Sequence, residues 1–339
     1  AEAEAVDDAQ TLRWASHDLG VALGMLGDHD AAVARVEESM RLAREAGDLN
    51  LVMRCYINLP AMCSARGDDI RPLVEMAIEG IGHARRAAAG SVVCWLAGNV
   101  SGFLRELGRL DEALDYADEA VVATEAHVPG NLAMTLSDRA SLHRLRGELE
   151  AARRDEARVA ELDRAVEPQV KAHHLFALVA ERWASDPKGA LGILADSISA
   201  EPDSIDEHGK IALWYARGCL RLDDDDGVAW AVSIAEAFSS TSTPSQLAQH
   251  DWIAGLSDGS RGRTVEAAAQ GLEELGLLTA AADAWADAAL LAARAGRKSV
   301  ALDHALAITE RIGMHPLLGP LPETRWLDPR PVPARPALD

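Results

Sequence analysis

Apolar residues recur along this chain at the three-and-four spacing of a helix face, in blocks of about 14 to 17 residues separated by short turns. Leu19, Leu23 and Leu26 fall at i, i+4 and i+7, beside Gly20, where a neighbouring helix can close in. Tyr56, Leu59 and Cys63 take the equivalent places in a second block, and Trp285, Ala288, Ala289 and Ala292 in a late one. A block ends on Gly or on an acidic turn, and the next block carries a small residue five positions on. Leu26-Gly27-Asp28 leads to Ala32, Arg66-Gly67-Asp68 to Pro72, and Leu107-Gly108-Arg109 to Ala113. Arg146-Gly147-Glu148 leads to Ala152, Trp183-Ala184-Ser185-Asp186 to Ala190, Leu222-Asp223-Asp224 to Ala229, and Ala295-Gly296-Arg297 to Ala301.

The first six turns stand about 40 residues apart, room for two helices and two turns per unit. Gly suits the left-handed residue that ends a helix; where it is missing, Ser and Asp stand in, and Asp also caps the next helix. The small residue marks where the second helix must approach the first. No single hairpin buries both its faces, so the pattern predicts an all-α stack of about eight antiparallel helix pairs over residues 1–315. Two places depart from it. Pro60 falls inside a helix and predicts a kink. Residues 241–276 hold a Ser/Thr-rich turn, a helix near Leu247–Leu256 and a second loop, an irregular seventh pair that reads as a hinge. From residue 316 to 339 the chain holds seven of its fourteen prolines, a Pro-rich tail or linker and not a helix.

Composition strengthens the helical reading. Ala and Leu, both strong helix formers, are the commonest residues, while aromatics are only 4% of the 339 residues, fewer than a β-sandwich or barrel normally uses. A net charge of −21 repels phosphate backbones and anionic lipids, which argues against direct nucleic-acid binding and against a membrane surface. No apolar run is long enough to span a bilayer. Cys55, Cys63, Cys94 and Cys219 form no CxxC pair and read as small buried residues of a reducing, cytoplasmic protein.

The turn-and-Ala phrase resembles the tetratricopeptide repeat. Leu19-Gly20, Leu23, Gly27 and Ala32 carry the likeness in the first unit, and Trp285, Gly296 and Ala301 in the last. Asp18, Asn58, Asn99, Asp138 and Asp287 repeat a further family-like position. The period exceeds the family's usual one. With the phrases EESMRLAREAGDLN and ALDHALAITERIGMHPLL, it looks like the helical-repeat region of large ATP-binding LuxR-type regulators and related signalling NTPases, over roughly residues 9–316. The resemblance implies a right-handed superhelix that reads a protein, peptide or small-molecule inducer in its concave groove. The nucleotide-binding and helix-turn-helix modules of such regulators are not in this stretch.

No GxxxxGK[ST], GxGxxG, HExxH or GxSxG occurs, so the expectation is a non-enzymatic module without cofactor or metal. Gly296–Ser299 lacks the upstream Gly of a phosphate loop, Asp223–Asp226 reads as a helix cap, and His173 and His174 point about 100° apart on a helix. One constellation is suited to anions. Arg105, Arg144, Arg182 and Arg221 each stand eight residues before the post-turn Ala of their unit. By the resemblance, that position looks into the groove, where four stacked guanidinium groups would suit carboxylate or phosphate. The competing reading is helix-end stabilisation and pairing with local acids such as Glu106. The resemblance places Trp14, His17, Met25, Arg54, Trp95 and Met134 on the same side. A stand-alone scaffold for protein assembly or for self-association as a homo-oligomer is the alternative to a regulator's sensor arm.

Overall fold

The computed structural model describes residues 9–162, 168–200, 205–237 and 243–316; the Pro-rich tail, from residue 317 on, lies outside the described residues. Of these residues 84% are helical, in sixteen α-helices with no strand among them. The chain divides into two compact units, Ala1–Leu104 with Asp115–Leu132, and Arg105–Leu114 with Ala133–Asp339.

The first unit contains α1 (Ala9–Met25), α2 (His29–Ala46), α3 (Leu49–Arg66), α4 (Ile70–Arg86) and most of α5 (Gly90–Glu106) and α6 (Leu110–His127). Successive helices α1 to α4 pack in chain order. Gly27 and Gly67 end α1 and α3 at φ 84° and 92°, values that a side chain would strain. Asp28 caps α2 by accepting from Ala31 N at 3.2 Å, and Asp48 caps α3 through Leu51 N at 3.1 Å. Ala32 is fully buried, as the close-approach position requires.

Two local expectations are corrected here. In α1 the buried residues are His17 and Gly20, whereas Leu19, and Leu26 just past the helix end, are exposed. A Cβ at Gly20 would stand 2.7 Å from Val36 Cγ2, so it is the glycine that packs against α2, and Leu19 is turned about 100° outward. Pro72 is also exposed. The turn is one residue longer there: Asp69 is the cap, α4 starts at Ile70, and Leu73 takes the buried place. Pro60 is buried inside α3, and the helix runs through it from Leu49 to Arg66.

The second unit holds α7 (Leu132–Leu145, after a 3-10 turn at Pro129–Asn131), α8 (Leu149–Leu162), α9 (Pro168–Trp183), α10 (Pro187–Ala200), α11 (Ile205–Arg221), α12 (Asp225–Ala237), α13 (Pro244–Gly255), α14 (Arg263–Glu274), α15 (Leu278–Arg294) and α16 (Ala301–Ile312). From α8 onward each helix packs on the next. The irregular segment expected at 241–276 forms two short helices of 12 residues each. Beyond this sequential packing, α15 also meets α11. The last two helices reach back to earlier turns: Thr279 Oγ1 donates to Arg105 O, and His315 N donates to Leu145 O at 2.6 Å. Ile312 stands against Gly108, and the His315 ring against Gly147, where a Cβ would come within 2.8 Å in each case.

Candidate functional site

Repeat register is best counted from the residue that ends the first helix of each unit. Thirteen positions before Gly27, Gly67 and Gly108 stand Trp14, Arg54 and Trp95, one on each of α1, α3 and α5. All three lie in the first unit; Arg54 is exposed and the two indoles are half-buried. Arg54 Cζ lies 6.0 Å from the Trp14 ring centroid, a cation–π distance. Trp14 Nε1 donates to the Asp48 carboxylate at 3.1 Å, which fixes the orientation of the indole. Met134 has the same register but belongs to the second unit.

Nine positions before the same glycines are Asp18, Asn58 and Asn99. This position ties neighbouring helices together. Asn58 Nδ2 meets His17 Nε2 at 3.0 Å, and Asn99 Nδ2 donates to Ile57 O at 2.9 Å. His17, expected to face a groove, is completely buried; its other nitrogen is 3.0 Å from Asp18 Oδ1. It is a packing residue between α1 and α3, because Gly20 brings that face of α1 onto its neighbours. In the second unit Phe176 and Trp214 occupy the same register before Ser185 and Asp223, and their rings pack at 4.8 Å.

The four arginines expected in a row each face a carboxylate. Arg105 is half-buried with Glu106 at 3.1 Å, and Arg182 is exposed beside Asp186 at 2.8 Å. Arg144 is buried in a two-pronged pair with Glu156, both contacts 2.6 Å. Arg221 Nη1 donates to Asp287 Oδ1 at 2.9 Å and is also buried. It is out of register with the other three. Asp223, at φ 59°, takes the left-handed place, so Val228 is the buried close-approach residue and Ala229 is exposed. The side chain is thereby rotated by one residue, about 100°, relative to the others.

That rotation puts Arg221 into a cluster which sequence reasoning missed. Arg217 Nε donates to Asp287 Oδ2 at 2.8 Å and its Nη1 to Asp283 Oδ2 at 2.9 Å. Trp252 Nε1 reaches Asp287 Oδ2 at 3.1 Å, and Arg217 Cζ lies 5.3 Å over the Trp252 ring. Asp287 is fully buried and Arg217 nearly so. Burial works against the Arg217 charge, but Asp283 and Asp287 together hold its pKa above the ordinary guanidinium value. Arg221 is shifted down instead, because burial dominates, one carboxylate serves it, and Arg217 repels it. The only hint in the sequence was Asp287 at the ninth register position.

A cleft of about 630 Å³ opens in the first unit between α2 and α4, over α3. Met40, Leu59 and Met76 line it with Arg44, Tyr56 and Glu79, and the last three also border a neighbouring cavity of about 580 Å³. They form a bar across the cleft: Arg44 Nη2 donates to Tyr56 Oη at 3.1 Å, and Tyr56 Oη donates to Glu79 Oε1 at 2.8 Å. The phenol is pushed to higher pKa by burial and by its bond to Glu79; Glu79 is held below the usual carboxylate range by the same bond. Burial likewise raises the Cys55 thiol to about 11 and the Cys63 thiol to about 12.

No protein-family model matches this chain. No curated protein matches it in sequence either. Among the described residues no group of three or more His, Cys, Asp or Glu is arranged to hold a metal ion, and no helix is long and apolar enough to cross a membrane.

Proposed function

We propose that this chain is a non-catalytic binding module, a right-handed tetratricopeptide-like solenoid of eight helix pairs that serves as the sensor or interaction arm of a cytoplasmic LuxR-type ATP-dependent regulator. Sequential packing of the helices, turns that recur every forty or so residues and buried Ala32, Ala113, Ala152, Ala190 and Ala301 support the repeat. The observation that carries the binding role is the row Trp14, Arg54, Trp95. Three helices present one register position each, two of them large aromatic anchors flanking an exposed cation. Half-buried indoles, the Trp14 one fixed by its bond to Asp48, are preorganised contacts, and Arg54 supplies a partner for a carboxylate. The ligand that fits is an extended or helical peptide segment of a partner protein with apolar and acidic side chains. Arg144 and Arg221 have no part in this reading, since each is buried in an ion pair.

Panning a displayed random-peptide library on the immobilised full chain tests it. Enriched peptides should carry Asp or Glu beside apolar residues and should bind Trp14→Ala/Trp95→Ala at least about tenfold more weakly. Library enrichment that is indifferent to both substitutions, or absent, defeats the proposal. A stand-alone scaffold is the second reading, favoured by an exposed apolar face on α1.

A further inference from the structure

We infer that α1 carries a self-association face, and that its occupant is α1 of a second copy of this chain packed antiparallel. This goes beyond the ligand row, which lies on Trp14, Arg54 and Trp95. Leu12, Leu19 and Leu26 follow one another at seven-residue intervals, Leu26 in the turn just past the end of α1, and Ala15 and Ala22 stand three residues after the first two. This is the a and d spacing of a helix-pairing seam. The leucines are 37%, 46% and 76% exposed, and Met25 beside them 77%; both alanines are exposed as well. The side of α1 that faces its own unit is the opposite one, through His17, Gly20 and Gly24. Nothing among the described residues covers the stripe.

A second copy is the occupant that its shape and charge fit. A row of Leu beside a row of Ala is a ridge beside a groove. Under a two-fold axis the ridge of each copy lies over the groove of the other, Leu12 over the second copy's Ala22 and Leu19 over its Ala15. Ala lets the two axes approach closely, and antiparallel dipoles favour the arrangement. The flanking positions Thr11, Asp18 and Met25 on one side, and Ala9, Ser16 and Leu23 on the other, hold a single charge, Asp18, already beside His17. A strongly charged partner finds no complement there. A helix of 17 residues is about 25 Å long, and pairing two of them buries on the order of 1,000 Å² in total, the low end for a specific interface. The dimer is therefore weak and reversible. The −21 charge on each copy opposes it over distances that salt screens.

Sedimentation velocity of the full chain, loaded from about 1 to about 100 µM, measures this by mass action. The average mass should climb from 36.1 kDa toward twice that value, and more readily at high salt than at low. Leu19→Glu should weaken association at least about tenfold, with an unchanged helical spectrum because Leu19 is exposed. Val122→Glu, which places the same charge on another exposed apolar residue of the first unit, should leave it intact. A monomer at every concentration overturns the inference. So does a dimer that ignores Leu19→Glu, is equally lost in Val122→Glu, or loosens as salt rises. The ligand row is untouched in both variants, so peptide binding survives or fails on its own terms.

Discussion

At the scale of single residues, Asp287 is the most constrained group described in the second unit. It receives Arg217, Arg221 and Trp252 with no exposed surface. Such a cluster adds little net stability over a well-packed apolar one, because desolvating the charges offsets their attraction; breaking it is another matter. Asp287→Ala leaves two buried guanidinium groups with one carboxylate, Asp283, between them, and should destabilise the second unit by about 3–5 kcal/mol. Replacing Arg217, Arg221 and Asp287 together by Met, Leu and Leu should come close to neutral. Urea denaturation of both variants checks the pair; equal losses would mean that packing, and not unpaired charge, dominates the site. The cluster was hidden in the sequence because Arg217 and Asp287 are 70 positions apart and the repeat rule describes only neighbours.

At the scale of the helix, small residues divide into those the fold needs and those it does not. Gly20 and Gly80 sit where a Cβ would collide with the next helix, at 2.7 and 2.9 Å. Gly98 and Gly102 in α5 meet nothing within 4 Å. Helix-interior glycine is less favourable than Ala by roughly 0.5–1 kcal/mol, so Gly98→Ala and Gly102→Ala should each raise stability by about that much. Thermal melts read the change; a drop in Tm would show that α5 is packed more tightly on that side than its surroundings indicate. The same local physics explains which close-approach residues were legible. Ala32, Ala113, Ala152, Ala190 and Ala301 lie at a fixed distance from their turns and are fully buried. Pro72 and Ala229 fail that count because one turn gains a residue and the other puts Asp223 in the left-handed place.

At the scale of the whole chain, acidity sets the response to pH. Glu79 is held below its ordinary pKa by the Tyr56 hydroxyl, and Asp186 by the Gly189 amide and then Arg182. Burial works against Glu266, yet Arg297 and Ser299 lower it too. Each depressed carboxylate contributes stability that is fully present above its unfolded pKa and is lost as pH falls through the lower folded value. From neutrality downward, partial protonation first relieves the repulsion of a −21 chain. Stability should therefore peak near about pH 5 and fall steeply below about pH 4, where the paired carboxylates protonate. Circular dichroism at 222 nm against denaturant across pH 3–8 would show the maximum. Stability that rises all the way to pH 3 would mean that repulsion outweighs the specific pairs.

The sequence by itself determined the helices and their turns, because helix spacing, Asp caps and left-handed glycines act over a few residues and need no distant partner. It also marked the row Trp14, Arg54 and Trp95, since a fixed count from each turn is a statement about register. Only the tertiary structure decided which face of each helix is inside. Leu19 and Leu26 have the spacing of a core stripe, but the backbone approach at Gly20 puts His17 inward and the leucines outward. Arg144 and Arg221 likewise have the spacing of a ladder, yet Glu156 and Asp287 come from other helices and take them out of reach. Periodicity fixes where a face is; what lies against it depends on contacts between residues far apart in the chain.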